Sequence, residues 1–372
     1  MSQIRRRCGV MFLLAACAVM PAVAAAQLGG TQMRAGTGGL TRVATRGAVF
    51  LEMGVGARSL ALAGATTASS TDLSAMYWNV ASLADLEFAS AFVSREQMFG
   101  NSGLTNSFVA AAVPIFGGAF GLSLTSFSSG EMERTTEEWP EGDDPVAGSS
   151  VEWSAMAVGV HYARPFTDRL AFGITGKYAK EGIQFANADF IGADVGVRFR
   201  SGLFGTTLGA TIANLGTSGK MQGPAITRRF PPDRDPTFPT QRTLEGEISP
   251  GTYQMPTILR LGIRTDLVGG AEAVFGDAFG GWHRLVAFAD IHDGVDTEVM
   301  PAIAAEYALR ERLFLRMGYR SLNDGRGADG GGLSLGGGVA IPIGSRRFLV
   351  DYAWRDSGEL HSNQVFSFQF GN

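Results

Sequence analysis

The residues best suited to chemistry are few and scattered. Four histidines, His161, His283, His292 and His361, lack the spacing of metal ligands. Asp290 and His292 stand two residues apart in an alternating segment, so both side chains face the same way. A hydrogen bond inside a sheet explains that pair more simply than catalysis does. No phosphate-binding loop and no nucleophile with a nearby base is evident, so we predict a protein that is not an enzyme and has no metal or cofactor.

The N-terminus predicts export. Three arginines at 5–7 precede an apolar stretch at 10–20, and three alanines at 24–26 precede Gln27. This pattern is typical of a cleaved signal peptide over residues 1–26. The alternative is a lipoprotein signal, in which Cys17 of Leu-Ala-Ala-Cys would be acylated. Cleavage after residue 26 would also remove Cys8, so the mature chain would have no disulfide or thiolate chemistry.

Composition narrows the class of protein. Without the three signal arginines, 28 Lys and Arg stand against 35 Asp and Glu, a net charge of −7, which does not indicate a nucleic-acid partner. The 51 glycines among 372 residues are about twice the usual share of roughly 7%. After Gln27 no run of 18 apolar residues occurs, so a membrane-spanning helix is not indicated.

Alternation with a period of two dominates the mature chain. The segment 313–320, LFLRMGYR, puts Leu, Leu, Met and Tyr on one face and Phe, Arg, Gly and Arg on the other. A soluble β-sandwich also alternates. Two features favour a transmembrane antiparallel β-barrel instead: isolated Arg and Asp lie between small residues on the polar face, and aromatic residues cluster at segment ends. The predicted bilayer partner is outer-membrane lipid.

Fourteen candidate strands can be counted between 86 and 370, the first at 86–96 and the sixth at 189–200. An even count is typical of bacterial barrels. If the chain enters the first strand from the inside, short connections alternate with long external ones, apart from a long inside connection at 267–283. The external loop 129–150 is acidic, which indicates either a solvated loop or a site for a cation or partner. Loop 215–255 is rich in Pro and Arg, and we expect it to be flexible or ordered on a partner.

Charged residues on the lumenal face predict an ionic interior. We expect four arginines to pair with three acidic side chains and form a salt-bridged seat for a plug. The arginines are Arg260, Arg264, Arg316 and Arg320, and the predicted partners are Asp194, Glu306 and Asp351.

Before the strands, the pattern changes. Residues 27–48 are predicted to be a flexible segment, and residues 49–85, rich in small residues without a period of two, a hatch with short helical turns. Thr71 or Asp72 could cap a helix over residues 73–77. The predicted divisions are therefore 1–26 signal, 27–48 flexible segment, 49–85 hatch and 86–372 barrel.

This hatch sequence resembles a known family. FLEMGVGARSLALAGA (50–65) and DLSAMYWNVASLA (72–84) look like the N-terminal signature of the PorV/PorQ family, within the FadL-like outer-membrane barrels. Similar stretches recur at 210–216, 256–267, 313–320 and 348–370, so the resemblance covers nearly the whole mature chain. It implies a fourteen-stranded barrel with an N-terminal hatch. The corresponding hatch residues are Gly54, Gly56, Gly64, Asp72, Asn79, Val80 and Ala81, where Val80 replaces the proline of the family's Asn-Pro-Ala.

Two functions follow from the resemblance. Its leading implication is a cargo-receiving or accessory component of type IX protein secretion, with secretion-machinery proteins or exported cargo bound by the external loops. The alternative is a FadL-like transporter of hydrophobic small molecules across the cell outer membrane. An apolar pocket would favour the transporter, and a purely structural barrel is a third possibility.

Overall fold

The computed structural model describes residues 46–69, 71–135, 139–142, 150–230, 244–247, 249–277, 280–295, 297, 299–321 and 332–371. The predicted signal 1–26, and with it Cys17, lies outside the described residues. So does nearly all of the predicted flexible segment 27–48.

Fourteen antiparallel strands form a closed barrel in which each strand pairs with its neighbour in sequence and the last pairs with the first. This confirms the predicted fold and strand count. The strands, β1 to β14 in chain order, are Ser90–Gln97, Thr105–Ile115, Gly118–Ser128, Trp153–Pro165, Leu170–Ile183, Ala186–Arg200, Thr207–Gly216, Ile258–Val268, His283–Gly294, Met300–Leu309, Leu313–Arg320, Leu333–Ile343, Arg346–Asp356 and Ser362–Gly371.

Side chains alternate between the lumen and the outer surface along every strand. In β11, the outward Leu315 is 65% exposed, whereas the inward Arg316 is 4% exposed. A soluble protein buries its leucines and exposes its arginines. The reversed pattern, repeated around the barrel, presents an apolar outer surface of the kind that faces lipid, which argues against the soluble sandwich.

The two ends of the barrel differ. At one end, here called the turn end, the connections 116–117, 166–169, 201–206, 310–312 and 344–345 are tight, and the longer 269–282 is the exception that the sequence predicted. The other end, the loop end, carries the long connections 129–152, 217–257 and 321–332 together with a tight turn at 184–185. Short turns on one side and long loops on the other are typical of membrane barrels.

Two predicted boundaries need correction. β1 begins at Ser90 rather than at residue 86, because a 3₁₀-helix over Val80–Asp85 delays the first strand. β6 begins at Ala186 rather than at 189, because Gln184 takes a left-handed conformation (φ 48°) in a tight turn. The alternation of apolar and polar residues does not reveal such helical turns or left-handed residues, so it does not fix where a strand begins.

The external loops pair with themselves. Ser218–Lys220 pairs with Thr252–Gln254, Thr227–Phe230 with Leu244–Glu247, and Met132–Glu133 with Ser150–Val151. A 3₁₀-turn covers Pro224–Ile226. Part of loop 215–255 is therefore ordered by its own ribbons. Among the described residues, no helix is both long and apolar enough to cross a membrane.

Candidate functional site

Residues 46–86, here called the lumenal segment, run through the barrel from the loop end to the turn end. Gly47 N donates to Gln254 O at 3.0 Å and Ala48 N donates to Glu181 Oε2 at 3.0 Å, both at the loop end. At the other end Asp85 pairs with Arg198 and Arg200. The chain thus enters β1 from the turn end, as expected, but the segment itself begins at the loop end.

Four short helical elements build this segment. They are a 3₁₀-helix at Val49–Glu52, α1 at Ala57–Ala61, α2 at Ala75–Trp78 and a 3₁₀-helix at Val80–Asp85. All five residues of α1 are buried. Helices this short are not stable alone, so packing inside the barrel stabilises them. The role of this segment as a hatch stays a prediction.

Glycines in the barrel wall let the segment's backbone lie directly against the strands. A Cβ added to Gly173 would lie 2.6 Å from Ala81 N, and one added to Gly209 would lie 2.6 Å from Ala68 Cα. Gly318 is similar, since its Cβ would lie 2.6 Å from the carbonyl carbon of Leu62. Real Cβ atoms do not approach backbone this closely, so these glycines form a seat for the segment.

Several predicted hatch residues hold the segment's own turns. Asn79 Oδ1 accepts from Ala81 N at 3.1 Å, which caps the second 3₁₀-helix, and its Nδ2 donates to Thr67 O at 2.8 Å and to Val197 O at 3.0 Å. Asp72 Oδ1 accepts from Ser74 N at 3.0 Å just before α2. Val80 and Ala81 are buried at the start of the 3₁₀-helix Val80–Asp85. A capped and buried turn therefore stands where the family has its proline.

The predicted hatch glycines serve conformation and close packing. Gly56 and Gly64 have φ of 84° and 79°, a left-handed region that favours glycine. Gly54 lies against Trp78, where an added Cβ would come within 2.7 Å of the indole ring.

Strands β8 to β13 form a wall of the lumen that we call the charged wall. Arg58 of α1 donates from Nε to Glu306 Oε2 at 2.8 Å, and Arg316 Nε donates to the same oxygen at 2.8 Å. Arg316 also pairs with Asp351. All four side chains are at least 96% buried, so removal of one partner would leave an uncompensated charge without water.

The other predicted lumenal charges do not pair as expected. Asp194 pairs with Lys177 at 2.7 Å, and Arg264 pairs with Asp266 at 2.6 Å. Arg260 and Arg320 instead contact the lumenal segment, a partner that an alternating strand pattern does not reveal.

Both of these arginines donate to backbone carbonyls of the segment. Arg260 donates to Tyr77 O at 3.0 Å and lies over the Tyr77 and Trp78 rings, with 4.8 and 5.2 Å to the centroids. Arg320 Nε donates to Ala63 O at 2.9 Å. Asp290 accepts from Thr67 N at 2.9 Å, so the sequence pair of Asp290 and His292 also belongs to this seat.

Sequence reasoning missed Arg58, the residue that connects the segment to the charged wall. A signal was present, because Arg58 is the only charged residue between Met53 and Ser70 in an otherwise small and apolar stretch. An isolated charge of this kind inside a buried segment needs an opposite charge nearby.

Strands β1 to β4 form a different wall, here called the apolar wall. Its lumenal side chains belong largely to two clusters of alanine and phenylalanine. The inner cluster contains Phe92, Phe108, Ala110, Ala112, Ala119 and Ala163, packed against Val55, Leu73, Met76, Val80 and Leu83 of the lumenal segment. Toward the loop end, the mouth cluster contains Phe127, Ala155 and Ala157 with Phe50, Leu51, Met98, Phe190 and Met255.

Polar side chains on the apolar wall bond within the wall, to neighbouring strands or to the lumenal segment; Glu96 of β1, for example, accepts from Asn363 Nδ2 of β14 at 2.7 Å. His161 bonds to Ser123 Oγ at 2.8 Å and to Thr175 Oγ1 at 2.9 Å. Near the loop end, Asn106 Nδ2 donates to Gly54 O at 3.2 Å. This wall therefore meets the lumenal segment chiefly through apolar side chains.

A polar cavity of about 270 Å³ lies at the turn end of the lumen. It is lined by residues that include Asp72, Ser82, Asp85, Arg198 and Arg264. At its edge the hydrogen bonds and charges of Arg198 and Arg200 outweigh the effect of burial and lower the pKa of Asp85. Among the described residues, no group of three or more His, Cys, Asp or Glu could hold a metal ion.

Comparison with known proteins finds the same fold among solved outer-membrane barrels. No protein-family profile and no curated protein matches the sequence. Among solved structures, the chain is similar to the toluene transporter TodX of Pseudomonas putida, with a TM-score of 0.51 and 13% identity over 85% of this chain and 97% of that one. It is also similar to the toluene transporter TbuX of Ralstonia pickettii, with a TM-score of 0.52 and 12% identity over 86% and 98%. At this identity the similarity establishes a shared fold.

Proposed function

We propose that this chain is an outer-membrane transporter of hydrophobic small molecules. The observation that carries the proposal is the apolar wall, whose two clusters follow one another from the loop end toward the turn end. Moving a hydrophobic molecule from water onto such a surface is favourable, by about 25 cal/mol for each Å² of apolar surface buried.

The mouth cluster is suited to initial binding. It includes Met98 and Met255, and Met53, Met221 and Tyr253 pack against it. Methionine side chains are flexible and polarisable, so they adapt to apolar guests of different shapes. Apolar pockets lined by aromatic residues are the usual sites for small hydrophobic ligands.

The inner cluster offers a continuation of the path. Here the lumenal segment contacts the wall through Val55, Met76 and Leu83. An apolar guest can replace such contacts without leaving a buried polar group unpaired. The same displacement at the charged wall would break ion pairs, so we place the route along β1 to β4.

The names of the similar structures support this choice of cargo. TodX and TbuX are described as toluene transporters, and their fold covers most of this chain. The role in type IX protein secretion that the sequence resemblance implied gains no support from these comparisons, and it stays a prediction.

A direct test measures uptake of radiolabelled toluene by cells that carry the barrel in the outer membrane of a host without such a channel. We expect Ala157→Asp to reduce uptake about tenfold or more, because a carboxylate on the apolar wall would repel an apolar guest; a cost of 1.4 kcal/mol is a factor of ten. The matched control is Ala304→Asp, a lumenal alanine on the charged wall, which should leave uptake largely unchanged.

Equal amounts of folded barrel must be confirmed for both variants. Wild-type uptake equal to that of cells without the barrel would contradict the proposal. So would an equal loss in the two variants, because the route would then not follow the apolar wall.

A further inference from the structure

Two polar side chains interrupt the apolar wall between its two clusters. Glu96, on the lumenal face of β1, lies between Phe92 of the inner cluster and Met98 of the mouth cluster. Asn106, on the lumenal face of β2, lies next to Phe108 of the inner cluster. The strand register places Glu96 directly opposite Asn106. We call this pair the junction, because a route along the wall passes it.

The lumenal segment crosses from one cluster to the other at the same level. Met53 packs against the mouth cluster, and Val55 belongs to the inner cluster. Between them, Gly54 O accepts from Asn106 Nδ2 at 3.2 Å. A guest that moves from the mouth cluster to the inner cluster therefore takes the place of Gly54 at Asn106.

The junction has more acceptors than donors. Glu96 Oε1 accepts from Asn363 Nδ2 at 2.7 Å and from Arg355 Nη2 at 3.3 Å. Within the described part of the chain, however, Glu96 Oε2 and Asn106 Oδ1 have no hydrogen-bond partner. The two residues are only 2% and 3% exposed, and an unpaired acceptor is costly when it is buried. The junction therefore favours a guest that brings a donor.

The charge of the junction favours a neutral donor. The carboxylate of Glu96 is already compensated by the guanidinium of Arg355, so a second cation is not needed. A hydroxyl group is both a donor and an acceptor. Its oxygen can accept from Asn106 Nδ2 in place of Gly54 O, while its hydrogen is donated to Glu96 Oε2. A methyl group at the same position would leave these groups unpaired.

We propose that the junction selects hydrophobic guests that carry a hydroxyl group, such as phenols, over hydrocarbons of the same shape. Glu96 and Asn106 bind the hydroxyl, and the aromatic ring packs on Phe92 and Phe108. Sites that bind a hydroxyl discriminate strongly against an analogue without one, because their buried polar groups are then left unpaired. The inference rests on the proposed transport and narrows its substrate class.

Competition for toluene uptake tests the junction. Cells that carry the barrel take up radiolabelled toluene in the presence of unlabelled p-cresol or p-xylene, which differ only by a hydroxyl or a methyl group on the same ring. The readout is the half-inhibitory concentration of p-xylene divided by that of p-cresol. Partitioning of the two compounds from water does not depend on the variant, so a change in this ratio reports on the barrel.

We expect Glu96→Gln to lower this ratio about tenfold, a factor that corresponds to roughly 1.4 kcal/mol, because an amide N–H₂ group replaces the free acceptor. The matched control is Glu152→Gln, at an exposed glutamate just before β4, which should keep the wild-type ratio. If Glu96→Gln does not fold, Asn106→Leu tests the same site. It leaves the bonds of Glu96 to Asn363 and Arg355 in place, and it should also lower the ratio.

The outcomes separate this inference from the proposed transport. A ratio that is unchanged in the junction variants would overturn the inference, and so would an equal fall in Glu152→Gln. Toluene would still enter the cells in both cases, so the proposed transport would stand. Toluene uptake equal to that of cells without the barrel would overturn both.

Discussion

The charged wall holds the lumenal segment with buried ion pairs and hydrogen bonds in addition to apolar packing, whereas the apolar wall contacts it chiefly through apolar side chains. On the charged wall, Arg58 shares Glu306 with Arg316, and Arg260 and Arg320 donate to backbone carbonyls of the segment. On the apolar wall, contacts are made mostly by alanine and phenylalanine side chains. Ion pairs and hydrogen bonds are directional and costly to break when buried, whereas apolar contacts can be exchanged for others of similar size.

Under the proposed transport, this difference predicts distinct roles for the two sides of the lumen. We expect a segment anchored on one wall and packed by exchangeable contacts on the other to shift along the apolar wall while it stays attached at the charged wall. Each of the following changes tests one wall or the connection between them.

The largest loss in the free energy of unfolding is expected from a substitution in the charged wall. Glu306→Gln would leave Arg58 and Arg316 without their shared carboxylate, and breaking a buried ion pair costs about 3–5 kcal/mol. The measurement is the free energy of unfolding in detergent micelles by denaturant titration. Glu359→Gln, at an exposed position, is the control and should change this free energy by less than about 0.5 kcal/mol. A small loss in Glu306→Gln would show that the charged wall is not the anchor.

In the mouth cluster, Phe50→Ala should lower the free energy of unfolding by a comparable amount, but by opening a cavity rather than by breaking an ion pair. Phe50 is fully buried, and Phe→Ala substitutions in cores cost about 3–5 kcal/mol. The resulting apolar cavity should stay dry and bind toluene, so saturating toluene should recover about 1–3 kcal/mol of the loss. Toluene should not stabilise Glu306→Gln beyond its effect on wild type. Equal stabilisation of the two variants would remove the distinction between the walls.

A substitution in the glycine seat of the lumenal segment should lower stability by a smaller amount. Gly209→Ala would place a methyl group against Ala68 Cα, and such overpacking costs about 1–3 kcal/mol. Limited proteolysis of the folded barrel should then cleave within residues 46–86 faster than in wild type. Gly176→Ala is the matched control, because an added Cβ there meets nothing within 4 Å. Equal protease resistance in both variants would argue against a glycine seat.

The sequence predicts the barrel far better than the lumen. Alternation with a period of two is a local property, so a segment such as 313–320 reveals both its strand and its inward face. The partner of an inward arginine is a non-local property. Arg316 is close in space to Glu306 because β10 and β11 are adjacent strands, whereas Arg260 contacts Tyr77, which is distant in the chain. Only the folded barrel brings the lumenal segment to these side chains.

The same reasoning explains why the sequence pattern does not distinguish the two walls. Alanines such as Ala155 and Ala157 do not stand out in a sequence rich in small residues, and they form an apolar wall only when Phe50 packs on them. The sequence therefore predicts the charged residues and a closed, salt-bridged interior, but not the apolar wall. The apolar wall becomes visible only when both the strand order and the course of the segment are known.

The smallest effect is expected where the lumenal segment leaves the barrel. The pKa of Asp85 is lowered because Arg198 and Arg200 outweigh the effect of burial, so its ionised form stabilises the fold at pH values above the ordinary aspartate pKa of about 3.9. This stabilisation is lost as the pH falls through the lower pKa of the folded state. Because Asp85 is 43% exposed, Asp85→Asn should cost under about 1 kcal/mol at neutral pH. The Tm difference between wild type and Asp85→Asn should shrink as the pH falls below about 4 and reach zero only below the lower pKa of folded Asp85, where both side chains are neutral. A difference that persists at the lowest pH would mean that Asp85 acts through packing, and the turn end would then resemble the apolar wall more than the charged one.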